Sequence, residues 1–190
     1  MSELSVKDVN ADLSLLVDRF INSDRMIPSF SEIAKRGLFV PFISVVLSLI
    51  SVVLFYFTLM AERTISLPGF RDFFMEEGWY PIAATLFTGF CFFVMSYTNL
   101  MLYVAIPNDA RNKSIVIRHL KGIIKKTVSC FIVLVSLSAF LTAFEPVFAF
   151  VIPGLMFMFV FVINIVVSAE INRLGMGFAI EKIGKLIKKI

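Results

Sequence analysis

Apolar residues dominate this chain in long blocks, and short polar stretches separate them. The longest block, Thr127 to Ala169, runs for 43 residues with a single charge, Glu145. A bilayer crossing takes about 20 residues of helix, so the block is long enough for two. Ala143-Phe144-Glu145-Pro146-Val147 sits where a tight turn divides it, giving expected spans over 127–144 and 147–169. Two further blocks precede this hairpin. One covers about 37–60 after Lys35 and Arg36. The other covers about 80–106 and stops at Pro107. The expected fold is therefore an all-α polytopic membrane protein with four transmembrane helices in one domain, residues 37–169.

Outside the spans the pattern changes to helical amphipathicity. Val6, Val9, Leu13, Leu16 and Phe20 recur at spacings of three and four, the signature of one apolar helix face. Lys7, Asp8, Asp12, Asp18 and Arg19 take the other face. Ser2 or Ser5 is a candidate cap and Pro28 the expected end. Residues 1–36 thus read as an amphipathic segment that packs on the protein's own helix ends or on a second copy. Membrane-surface binding is the competing use. Residues 170–190 read as a second, basic amphipathic helix after the break at Gly175-Met176-Gly177, suited to lie on anionic lipid.

Within the spans, small residues mark candidate packing faces. These are Ser44, Ser48 and Ser51 in the first; Ala84, Thr85, Gly89 and Ser96 in the second; Ser129, Ser136, Ala139 and Ala143 in the third. Asn99, Asn164 and Ser168 are expected to face neighbouring helices, because an unpaired amide in hydrocarbon is costly. Pro153-Gly154 should disturb the last span, where proline leaves the Ala149 carbonyl without its helical donor. Ile115, Leu120, Ile123 and Ile124 predict that the third span begins as a basic helix well before Thr127.

Composition agrees with this reading. Hydrophobic residues make up 58% of the 190 residues, with 22 phenylalanines. Soluble domains hold about 45–50%. Charge adds direction. Lys and Arg number five before the first span, six between the second and third, and five after the fourth, against two in the first loop. The positive-inside rule then places both termini in the cytoplasm and exports residues 61–79 with the Glu145 turn. The start of the chain lacks a basic stretch followed by an apolar core, so no signal peptide is expected. The net charge of +4 is accounted for by this topology, and no direct nucleic-acid binding is expected from it.

No catalytic pattern is apparent, so an enzyme is not expected, nor any cofactor or metal. The lone histidine, His119, lies in a basic loop and is read as solvated; one imidazole makes neither a triad nor a metal site. Cys91 and Cys130 sit in apolar blocks as small packing residues. No intramembrane charge pair marks an ion path. Recognition of another protein remains. The exported loop offers Glu62, Arg63, Phe70, Arg71, Asp72, Phe73, Phe74, Glu76, Glu77 and Trp79 as a partner-binding patch, with aromatic anchors inside a charged rim. Trp79 and Tyr80 also read as anchors at the membrane interface.

In size, four-span layout, cytoplasmic ends and Phe/Met-rich helices, with stretches such as Phe39-Val40-Pro41-Phe42 and Phe157-Met158-Phe159-Val160-Phe161, the chain resembles the TraS-type entry-exclusion proteins of F-like conjugative plasmids. The resemblance implies a bacterial inner-membrane protein of the recipient cell. It would recognise the donor conjugation protein TraG and block redundant plasmid transfer. Immunity to a pore-forming bacteriocin and a small transporter or pore subunit are the other readings the residues leave open. A homodimer through the small-residue faces is open as well.

Overall fold

The computed structural model describes residues 6–22, 29–59 and 65–175. All regular structure among them is helical. Helices α1 (Val6–Asn22), α2 (Phe30–Gly37) and α3 (Phe39–Leu59) are followed by α4 (Leu67–Phe73). A π-turn, Phe74–Gly78, joins α4 to α5 (Trp79–Ala105). Then come α6 (Asn108–Lys113), α7 (Ile115–Leu141) and α8 (Phe148–Arg173). Four stretches are long and apolar enough to cross a membrane: Phe39–Leu59, Leu67–Ala105, Ile115–Leu141 and Phe148–Arg173. The all-α, four-span architecture is thus present, and the helix of the third span starts at Ile115, carrying Arg118, Lys121, Lys125 and Lys126 ahead of Thr127. The candidate caps Ser2 and Ser5, Pro28, and the tail beyond Gly175 lie outside the described residues. Gly175 closes α8 with φ +67°, the left-handed conformation that glycine adopts most readily after a helix.

The chain divides into two compact units, described separately. In the first, residues 37–96 with 128–161, the serine stripe of α3 is the axis of packing. Ser44, Ser48 and Ser51 are all buried. Ser44 Oγ donates to Val40 O at 3.0 Å, with Met156 Sδ of α8 at 3.6 Å. Ser51 Oγ and Thr142 Oγ1 bond at 2.8 Å, and Thr85 of α5 approaches Ser48 at 3.4 Å. Small residues let the backbones come close. A Cβ on Gly89 would stand 3.1 Å from Pro41 Cβ. Phe131 of α7 stacks on Phe159 of α8 at 4.2 Å between centroids, and Phe92 of α5 reaches the same ring at 5.6 Å.

The packed face of α7 differs from the expected one. Ser129 and Ser136 are exposed. Ala139 of that face is buried as expected, but its buried companions are Phe131, Val135, Ser138 and Thr142. Ser138 Oγ donates to Phe148 O at 2.9 Å, which ties the hairpin closed below the turn. Glu145 is exposed in that turn, where a carboxylate costs little. The outward faces carry Phe42, Phe87, Phe90, Val133, Phe140, Phe157 and Met158, all more than half exposed. Apolar side chains in such positions suit a lipid solvent.

The second unit comprises residues 1–36, 97–127 and 162–190. Here α1 lays its apolar stripe, Val9, Leu13 and Leu16, against Ala110, Val116 and Ile117, with Tyr103, Ile106, Leu120, Ile171 and Leu174 around them. The amphipathic N-terminal segment therefore packs on the protein's own helices. Asn99 and Ser168 are exposed, unlike the expectation that they face a neighbour.

Candidate functional site

The patch expected to recognise a partner falls on the segment from Ile65 to Tyr80, and its form was not expected. A Pro-Gly pair such as Pro68-Gly69 is by itself a turn signal; here a helix begins at it. Ser66 is its cap, with Oγ accepting from Gly69 N at 3.2 Å, and Pro68 occupies the first turn, where its missing N–H leaves no helical bond unmade. The start is clasped to α3. Tyr56 Oη donates to Ser66 O at 2.9 Å and accepts from Ser66 N at 3.3 Å.

Aromatic side chains fix the rest of the segment. Phe73 is 7% exposed and meets Phe55 edge-on at 5.1 Å and Tyr56 at 5.5 Å. Phe70 meets Tyr56 edge-on at 5.2 Å. Offset and edge-to-face contacts of this kind each add about 0.5–1.5 kcal/mol beyond area burial. Gly78 sits so close to the cluster that a Cβ there would stand 3.1 Å from both Phe73 and Val52. Between Phe73 and Gly78 the chain widens into the π-turn, a feature often found where a helix carries a function.

Of the ten residues proposed from sequence, Glu62 and Arg63 lie outside the described residues. Phe73 is spent in the core, and Phe70 and Phe74 are half-buried against it. They hold the patch rather than project from it. Arg71, Asp72, Glu76, Glu77 and Trp79 are exposed. Sequence reasoning missed Leu67, 86% exposed, and Met75, 72% exposed. Both flank the charges, and nothing in the spacing distinguished them from Phe73. Trp79 and Tyr80 lie ring to ring at 4.3 Å. The resulting surface is acidic, with Asp72, Glu76 and Glu77 against Arg71, and carries exposed apolar side chains on a segment pinned from behind.

The second unit holds a polar network that sequence reasoning also missed. Asp12 of α1 accepts from Ser114 Oγ at 2.6 Å and from Val116 N at 3.1 Å, at the start of α7. Ser114 Oγ in turn accepts from Ile117 N at 3.1 Å. A carboxylate at a helix N-terminus meets unpaired N–H groups and the positive end of the helix dipole. His119, expected in solvent, is 21% exposed at the side chain. Its Nε2–H donates to Glu170 Oε1 at 2.9 Å, and Arg173 pairs with the same oxygen. Arg111 is buried, bonded to Asn108 Oδ1, and its guanidinium lies 5.0 Å from the Tyr103 ring centroid. No group of three or more metal-ligating side chains occurs among the described residues. Comparison with protein-family models, curated proteins and solved structures finds no match.

Proposed function

We propose that the chain is a membrane recognition protein of the bacterial inner membrane, with both termini cytoplasmic, that carries out conjugative entry exclusion by engaging the donor protein TraG. The observation that supports a recognition role is the exposed face of Leu67–Tyr80. It presents acidic and apolar side chains on a helix clasped at Tyr56 and Phe73, and a preorganised surface loses less entropy on binding than a loose loop. The assignment to exclusion rests on the family resemblance.

The experiment is a mating assay with the chain expressed alone in recipient cells. Transfer from donors carrying a matching F-like plasmid should fall by about tenfold or more, the scale of one lost or gained hot spot of about 1.4 kcal/mol. Reversing Glu76 and Glu77 to lysine should restore transfer at an unchanged membrane level of the protein. Normal transfer across a panel of plasmids, with expression verified, would refute exclusion; toxin challenge and liposome conductance would then test the immunity and pore readings.

A further inference from the structure

The exposed side of α7 changes character partway along one unbroken helix. Arg118, Lys121, Lys125 and Lys126 are exposed. None of them forms an ion pair or side-chain hydrogen bond among the described residues. Arg118, Lys121 and Lys125 follow at spacings of three and four, which keeps them on one face. Lys126 starts a row at spacings of seven, two helical turns each, that continues through Val133 and Phe140, 63% and 60% exposed. A cationic stretch thus leads directly into an outward apolar stretch on the same side of the same helix.

We infer that Arg118, Lys121, Lys125 and Lys126 form a binding surface for the headgroups of anionic phospholipids, whose acyl chains follow the helix toward Phe140. The positive-inside rule accounts for basic residues on this side of the bilayer. It does not require that four of them stand together on one exposed face with no carboxylate among the described residues to neutralise them. Charge complementarity selects the occupant. A phosphodiester supplies the counter-charge, and the tail of the same molecule supplies the apolar contact that the face offers next. Clusters of four or more Lys/Arg beside a span attract anionic lipid through the same Coulomb term. The inference needs the four-span architecture only and is independent of the exclusion reading.

Cys130, exposed and one turn beyond Lys126, is a built-in reporter. The full chain carrying C91S is labelled with bimane at Cys130 and reconstituted in phosphatidylcholine. Quenching is then titrated with dibrominated phosphatidylglycerol and, separately, with dibrominated phosphatidylcholine. The anionic lipid should associate at least about fivefold more strongly, the ratio that a single Lys or Arg near an anionic headgroup gives. The preference should shrink as salt rises, because screening weakens exposed charge pairs. R118Q/K121Q/K125Q/K126Q should bring the ratio close to one, whereas K121R/K125R/K126R should keep it. Should the fourfold variant misfold, K125Q/K126Q should lose about half of the preference on a logarithmic scale. Equal association of both lipids with the parent chain would overturn the inference, as would an unchanged ratio in the glutamine variants. Loss of the preference on adding millimolar inorganic phosphate would also overturn it, in favour of a site for the free anion.

Discussion

Ser51 shows how much one hydroxyl settles. In sequence it belongs to a small-residue stripe whose use could be packing or a polar path. In the fold it bonds Thr142 at 2.8 Å across two helices, and Thr142 Oγ1 donates to Ser138 O at 3.1 Å. Interhelical hydrogen bonds in membrane proteins average about 0.6 kcal/mol and reach about 1.7. A double-mutant cycle of Ser51→Ala and Thr142→Val, read by unfolding in mixed micelles, should therefore give a coupling of about 0.6–1.7 kcal/mol. Additive single mutants would show that the pair carries no energy. Tyr56 is the second decisive residue. Tyr56→Phe keeps the ring against Phe70 and Phe73 but removes the hydroxyl that bonds both polar groups of the Ser66 backbone. Ser66 is exposed, so water can replace those bonds, and the loss should be about 0.5–1.5 kcal/mol. The effect should appear locally, as faster hydrogen exchange of the Gly69 and Phe70 amides. Unchanged exchange there would mean that the aromatic contacts alone hold the segment.

At the scale of elements, α1 illustrates a division between pattern and contact. The apolar stripe at Val9, Leu13 and Leu16 was legible because a 3.6-residue period in a polar background has one interpretation. Asp12 was not. It sits among the charges of the other face in sequence, yet it reaches the start of α7 and bonds Ser114 and Val116, partners more than a hundred residues away. Asp12→Ala should weaken the docking of α1 by about 1.5–3 kcal/mol, the range for a bond to a charged group. Asp12→Asn should cost less, since asparagine also caps helices. Exchange of the Val116 and Ile117 amides is the measurement. Equal protection in all three proteins would place the docking energy in the apolar stripe alone. The segment before α5 teaches the reverse lesson. Its Pro68-Gly69 pair reads locally as a turn, but Ser66 and Pro68 together start a helix once Phe73 has a cavity lined by Val52, Phe55, Tyr56 and Ala149 to fill.

For the whole molecule, the asymmetry of Lys and Arg fixes the expected orientation. Asn112 and Glu76 are both exposed and lie in segments assigned to opposite sides of the bilayer. A membrane-impermeant maleimide added to intact cells should label Glu76→Cys and leave Asn112→Cys unlabelled, because the reagent reaches only the exported side. Equal labelling after permeabilisation is the control. The opposite pattern would invert the topology and remove the patch from the exported face.

The number of membrane spans and their rough limits follow from the sequence alone, because a run of some twenty apolar residues has one stable environment whatever its neighbours do. The α1 stripe and the onset of α7 before Thr127 follow for a similar reason: polar residues around them give the pattern a direction. Only the tertiary structure decided which sides of the spans meet. Ser138 and Thr142 face inward on α7 while Ser129 and Ser136 do not. It alone paired His119 with Glu170, and it alone separated Phe73, buried, from Met75, exposed. Inside a uniformly apolar helix the hydrophobic period carries no direction. Burial there is set by the shapes and hydroxyls of neighbouring helices, and those contacts join residues that lie 51 to 112 positions apart in the chain.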